Sequence, residues 1–164
     1  MPTSDEEREH HRWQLLRWAP RHDFGVLYQP GHPGEVWLEN MCHVVPFLVS
    51  TGDFAPADMQ YRMHREHLWD PHTGLYGDAY NVDTGTWVRQ VPTASGNARI
   101  AAAMAQALHI GGDGTPAEMR GRWQRETRAL FGAMAVLDVD DESAELLAQA
   151  RELSVRDGWD RPQP

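Results

Sequence analysis

The stretch Ser95–Ile110, SGNARIAAAMAQALHI, decides the fold class. Its alanines (Ala101, Ala102, Ala103, Ala105, Ala107) favour helix and let a neighbouring helix approach closely. Gly111-Gly112 stops the element. Downstream, Thr115-Pro116-Ala117-Glu118 opens a second helix, with Thr115 expected as its N-cap. Met119, Trp123, Thr127, Leu130, Met134 and Leu137 then form one apolar stripe. A further helix spans about Asp141 to Arg156, with Leu146, Leu147, Ala150 and Leu153 inward, and the tail from Gly158 reads as loose. Upstream, one helix runs from about Val36 to Ser50 around Pro46. The next starts near Pro56, carries Met59, Met63 and His67, and stops at Asp70-Pro71. At the front, Ser4 and Glu7 form a capping box before Trp13, Leu16 and Ala19, until Pro20 ends the helix.

Residues 20–34 and 71–93 are rich in glycine and proline and read as loops, the second with short β-like pieces such as Thr86–Val88. Six helices joined by turns predict an all-α single domain over 1–164, folded as three antiparallel helical hairpins.

Composition narrows the function classes. The chain has 164 residues and a net charge of −9, and all 15 Lys+Arg positions are arginine. Without lysine there is no lysine Schiff base and no P-loop lysine. The acidic balance and dispersed arginines argue against a nucleic-acid binder. No run of apolar residues is long enough for a membrane span, and the polar N-terminus does not read as a secretory signal. A single cysteine, Cys42, agrees with a reducing, cytoplasmic location.

Several blocks carry a family resemblance. Val36-Trp37-Leu38-Glu39-Asn40-Met41 with Pro46-Phe47-Leu48 resembles the "W-[IV]-D-x-L-Y-M-x-x-P-F" segment of the unsaturated glucuronyl and rhamnogalacturonyl hydrolases, glycoside hydrolase families 88 and 105. Asp70-Pro71-His72-Thr73-Gly74-Leu75-Tyr76 is similar to their "D-x-x-T-G-L-[YF]". Gly77-Asp78-Ala79-Tyr80-Asn81 falls on "Y-H-x-W-D", and Ser95-Gly96-Asn97-Ala98-Arg99 on "R-G-N-G-W". Order and spacing hold from Gly34 to about Asp138. The resemblance implies part of a six-hairpin (α/α) toroid and hydration of an unsaturated uronic acid by two aspartates.

The chain departs from that pattern where the chemistry sits. Glu39 stands at the first aspartate and Asn81 at the second, and an amide cannot transfer the proton. Asp78 replaces the histidine, and Ser95 and Arg99 replace arginine and tryptophan. The expected catalytic residues are therefore Glu39, Asp78 and His43, the last four residues beyond Glu39 on the same helix face. Trp37, Asn40, Tyr80, Asn81, Trp87, Asn97 and Arg99 are the expected ligand-binding residues, for a small molecule such as a sugar. Asn81 and Asn97 can equally serve turn geometry.

Trp13, Trp18 and Trp123 fall on inward stripes and read as core, whereas Trp69 flanks a family block and can stack on a ligand ring. His64 and His67 share a helix face, but no third ligand accompanies them, so no metal and no cofactor is expected. Relatives more than twice as long close their ring within one chain. An open apolar inner face here leads to the expectation of a homodimer, or of a partner chain covering that face. Three functions stay open: a shortened uronyl-hydrolase relative, a cavity repurposed for cyclisation, isomerisation or dehydration of a non-sugar metabolite, and a non-catalytic binding module.

Overall fold

The computed structural model describes residues 4–160. Six helices carry the fold: α1 (Asp5–Trp13), α2 (Leu38–Ser50), α3 (Phe54–Leu68), α4 (Ala94–Gly111), α5 (Ala117–Met134) and α6 (Asp141–Arg156). The alanine-rich α4 lies at the centre, flanked by α2 on one side and α6 on the other. Ala98, Ala101, Ala105 and Ala107 are fully buried there, so no long side chain holds its neighbours off. The three helices run parallel. Asp78 sits at the first turns of both α2 and α4, and His109 near the end of α4 meets Asp157 just past the end of α6, at 3.1 Å. Behind this inner layer α3 packs on α2 and α5 packs on α4.

The capping box at Ser4 forms, with Glu7 N donating to Ser4 Oγ at 3.2 Å and Ser4 N to the Glu7 carboxylate at 3.1 Å. An acidic first turn and a basic last turn suit the dipole of α1. Residues Gln14–Trp18 then wind as a π-turn, with Ala19 N donating to Gln14 O at 2.8 Å. The wider turn carries Trp18 out of the apolar stripe. Trp18 is 80% exposed and Trp13 44%, contrary to the core positions expected of them, while Trp123 is fully buried.

Further boundaries shift. Val36 belongs to a strand, and α2 starts at Leu38. Pro116, not Thr115, precedes α5, and the buried Thr115 hydroxyl has no partner among the described residues. Gly158-Trp159 is docked: Trp159 is 7% exposed, stacks on Phe131, and its carbonyl accepts from Arg128. The remainder of the tail expected to be loose lies outside the described residues.

The loops hold two small sheets. Strands β1 (Glu35–Trp37), β4 (Ala79–Asn81) and β5 (Thr86–Arg89) pair antiparallel in the order β1-β4-β5. Strands β2 (Trp69–Asp70) and β3 (Leu75–Tyr76) form a hairpin. Its turn is closed by Asp70, whose carboxylate accepts from His72 N at 2.9 Å and Thr73 Oγ1 at 3.0 Å, and by Gly74 at φ +72°.

The inner layer's free surface carries polar groups along an otherwise apolar cleft. Glu39 and His43 on α2 and Arg99 and Gln106 on α4 point into it, with Leu146 of α6 half-buried beside them. The inner face thus mixes these polar groups with the apolar Cys42, Ala102, Ala103 and Leu146.

Candidate functional site

A pocket of about 290 Å³ opens where α2 and α4 begin, lined by Trp37, Leu38, Glu39, Cys42, Asp78, Arg89, Thr93, Ser95, Gly96 and Arg99. Asp78 organises it. Its carbonyl accepts from Leu38 N at 2.9 Å, capping α2, and its N–H donates to Arg89 O at 3.0 Å, closing the sheet. Its carboxylate accepts from Thr93 Oγ1 at 3.1 Å, and Thr93 in turn caps α4 through Gly96 N. Gly96 is what lets the carboxylate approach: a Cβ there would lie 2.9 Å from Asp78 Oδ1 and 2.7 Å from Thr93 Oγ1. Two helix N-termini thus flank the pocket and favour negative charge in it.

Glu39 projects from the first turn of α2 and is over half exposed, and His43 Nε2 lies 3.9 Å from its carboxylate, one turn on. Trp37 forms a flat wall. Its Nε1 donates to Glu35 at 2.8 Å, and the Arg89 guanidinium lies 5.0 Å from its ring centroid. Neither Arg89 nor Arg99 makes an ion pair with the described residues, so both can meet an anionic group. A second cleft of about 280 Å³ continues along the same face past Glu39, Cys42, His43 and Arg99 to Gln106 and Leu146. Desolvation pushes the Cys42 thiol up to about 12, which keeps it protonated and poorly nucleophilic.

The structure thus brings Trp37, Glu39, Asp78 and Arg99 to one pocket, with His43 at its edge. The other expected residues lie elsewhere. Tyr80 stacks on His67 and meets Trp87 edge-on, with ring centroids 5.4 and 5.3 Å apart, on the sheet face opposite Trp37. Strand alternation puts Trp37 and Tyr80 on opposite faces. Asn81 spends its carbonyl on Asp83 N and Thr84 N, shaping the β4–β5 turn. Asn97 is fully buried, accepting from Tyr76 N at 2.8 Å and donating to the Tyr76 and Thr93 carbonyls. Asn40 does not line the pocket, and its buried Nδ2 has no partner among the described residues. Trp69 is engaged by Tyr76 and by Arg65, 3.8 Å from its centroid.

The sequence reading missed Arg89, Thr93 and Gly96. The signal for Gly96 was present, since it shares a family block with Asn97. Arg89 reaches the pocket only through the pairing of β5, which no periodicity announced. His64 is fully buried with Nδ1 on Gln60 O at 2.8 Å, and no group of three potential metal ligands occurs among the described residues.

No family model matches the sequence, and no curated protein matches it. Solved structures do match the fold. A family 105 glycoside hydrolase from C. acetobutylicum superposes with a TM-score of 0.78 at 15% identity, over 95% of this chain and 52% of that one. A possible family 105 member from Salmonella enterica gives 0.81 at 18% identity, over 94% and 48%. The endo-β-1,4-glucanase of Acetobacter xylinum gives 0.59 at 19% identity, over 74% and 36%. The chain spans about half the length of the family 105 structures it matches. Its fold is that of half a glycoside hydrolase helical toroid, with family 105 proteins as partial look-alikes.

Proposed function

We propose that the pocket between the first turns of α2 and α4 takes a small sugar-like ligand carrying an anionic group, and that Glu39 serves as acid–base. The observation that carries this reading is the joint lining by Glu39, Asp78, Trp37, Arg89 and Arg99. Trp37 offers a face for a sugar ring, the arginines and helix N-termini suit a carboxylate, and the two acids can share proton transfer. In a hydration of an unsaturated uronyl residue, Glu39 would deliver the proton to the double bond. Asp78 would take the proton from the adding water.

The test is loss of the conjugated ultraviolet absorbance of an unsaturated glucuronyl disaccharide. Turnover is expected, and Glu39→Gln should lower it by about 10²–10⁴-fold. No turnover by the unmodified protein sinks the catalytic reading.

One observation favours a second reading, a binding module. Asn81 stands where the resemblance calls for an acid, and its side chain is committed to a turn. Under that reading calorimetry shows the disaccharide bound but unchanged, and Asn81→Asp does not restore turnover.

A further inference from the structure

Among the inner helices of the described residues, α6 alone has no outer helix behind it. α2 has α3 and α4 has α5, but only Ser143, Leu147, Ala150 and Ser154 of α6 are buried, a single narrow stripe. Beside that stripe runs a groove of about 260 Å³, lined by Met134, Leu137, Val139, Ala144, Ala148 and Arg151. Val136, 87% exposed, stands at its rim. At the opposite edge of the layer, α1 has the reverse problem. Together with the π-turn after it, it has no buried residue and leaves Trp13 and Trp18 exposed. Arg8 donates to Ser50 O on the last turn of α2, and the chain then leads through residues 20–34 to β1 at α2's first turn, so α1 runs antiparallel to α2.

We propose that the free face of α6 seats α1 of a second copy, and that the two copies close a two-fold ring of six hairpins. Each copy offers one α6 groove and one α1 edge, so a half-turn satisfies both contacts and leaves no edge open. The charges agree with this docking. An α1 laid antiparallel on α6 places Arg17 beside Asp138, Asp140, Asp141 and Glu145 at the N-terminal end of α6. It places Asp5, Glu6 and Glu7 beside Arg151 and Arg156 at the other. Trp13 and Trp18 supply the apolar bulk that the groove lacks. The driving surface in this docking lies at the two edges. Closure sets Glu39 and His43 of the two copies on facing walls of one channel, and it does not depend on whether the pocket is catalytic.

The test uses the 164-residue chain. Light scattering at micromolar concentration should give twice 18.6 kDa, and Ala148→Glu should halve it with helical circular dichroism unchanged. In a Cys42→Ser background, Trp18→Cys and Ala148→Cys copies mixed under mild oxidant should crosslink to each other, and neither should crosslink alone. This arm needs no charged variant to fold. A monomer mass for the unmodified chain overturns the proposal. So does a dimer that crosslinks through either position with itself, or that fails to crosslink in the mixture.

Discussion

Asn97 shows how a residue suited to a ligand can be committed to the fold instead. Its fully buried amide closes the gap between β3 and α4 with three hydrogen bonds. Asn97→Ala leaves the Tyr76 N–H and carbonyl unpaired in the core, at a cost of about 3 kcal/mol; urea denaturation reads this directly. His64 makes a different residue-scale prediction. Burial holds its imidazole down to about 4, from an ordinary 6.5. Below pH 6.5 the unfolded chain takes up a proton that the folded chain refuses. Stability is therefore complete above 6.5 and declines as the pH falls toward 4, by about 3 kcal/mol in total. The half-buried His67, also lowered by desolvation, adds in the same direction. Unfolding free energies between pH 7 and 4.5 should show the slope, and His64→Gln should flatten it whatever its effect at pH 7.

At the scale of elements, the helices were legible and the strands were not. Helices of nine to 18 residues repeat their apolar period several times, whereas strands of two to four residues give a period of two nothing to repeat over. β1 was absorbed into the start of α2 for that reason, and with it went the chance to see that Trp37 and Tyr80 face opposite ways. The π-turn after α1 was invisible too, since one extra residue per turn leaves no mark on composition. The little sheet is nevertheless exacting. A Cβ at Gly77 would lie 2.5 Å from the Trp87 ring and 2.9 Å from the Gln90 carbonyl. Gly77→Ala should destabilise by about 1–3 kcal/mol and shift β5. Because β5 carries Arg89, ligand affinity should fall with it, as calorimetry on the disaccharide would show.

For the whole molecule, the pattern of helices and the family blocks foretold half a toroid, and the solved family 105 structures share that fold. The character of the inner wall was not foretold. Which way Glu39, His43, Arg99 and Gln106 point depends on the rotation of parallel helices about their own axes, and a linear pattern fixes that only to within a side chain. Five of the seven expected ligand-binding residues lie outside the pocket for the same reason, since block order places a residue in the sequence but not on a face. The missing lysines leave arginine as the only strong cation at the pocket.

Asp78 serves α2 and β5 through its backbone and α4 through its side chain. Any amino acid but proline can present the same carbonyl and the same N–H at position 78, so only the Thr93 contact reads which side chain hangs there. A histidine in the resembling proteins and an aspartate here can therefore occupy one socket without the scaffold having to be rebuilt. A pocket framed largely by backbone can change the side chain at position 78 without losing the frame that joins α2 to β5.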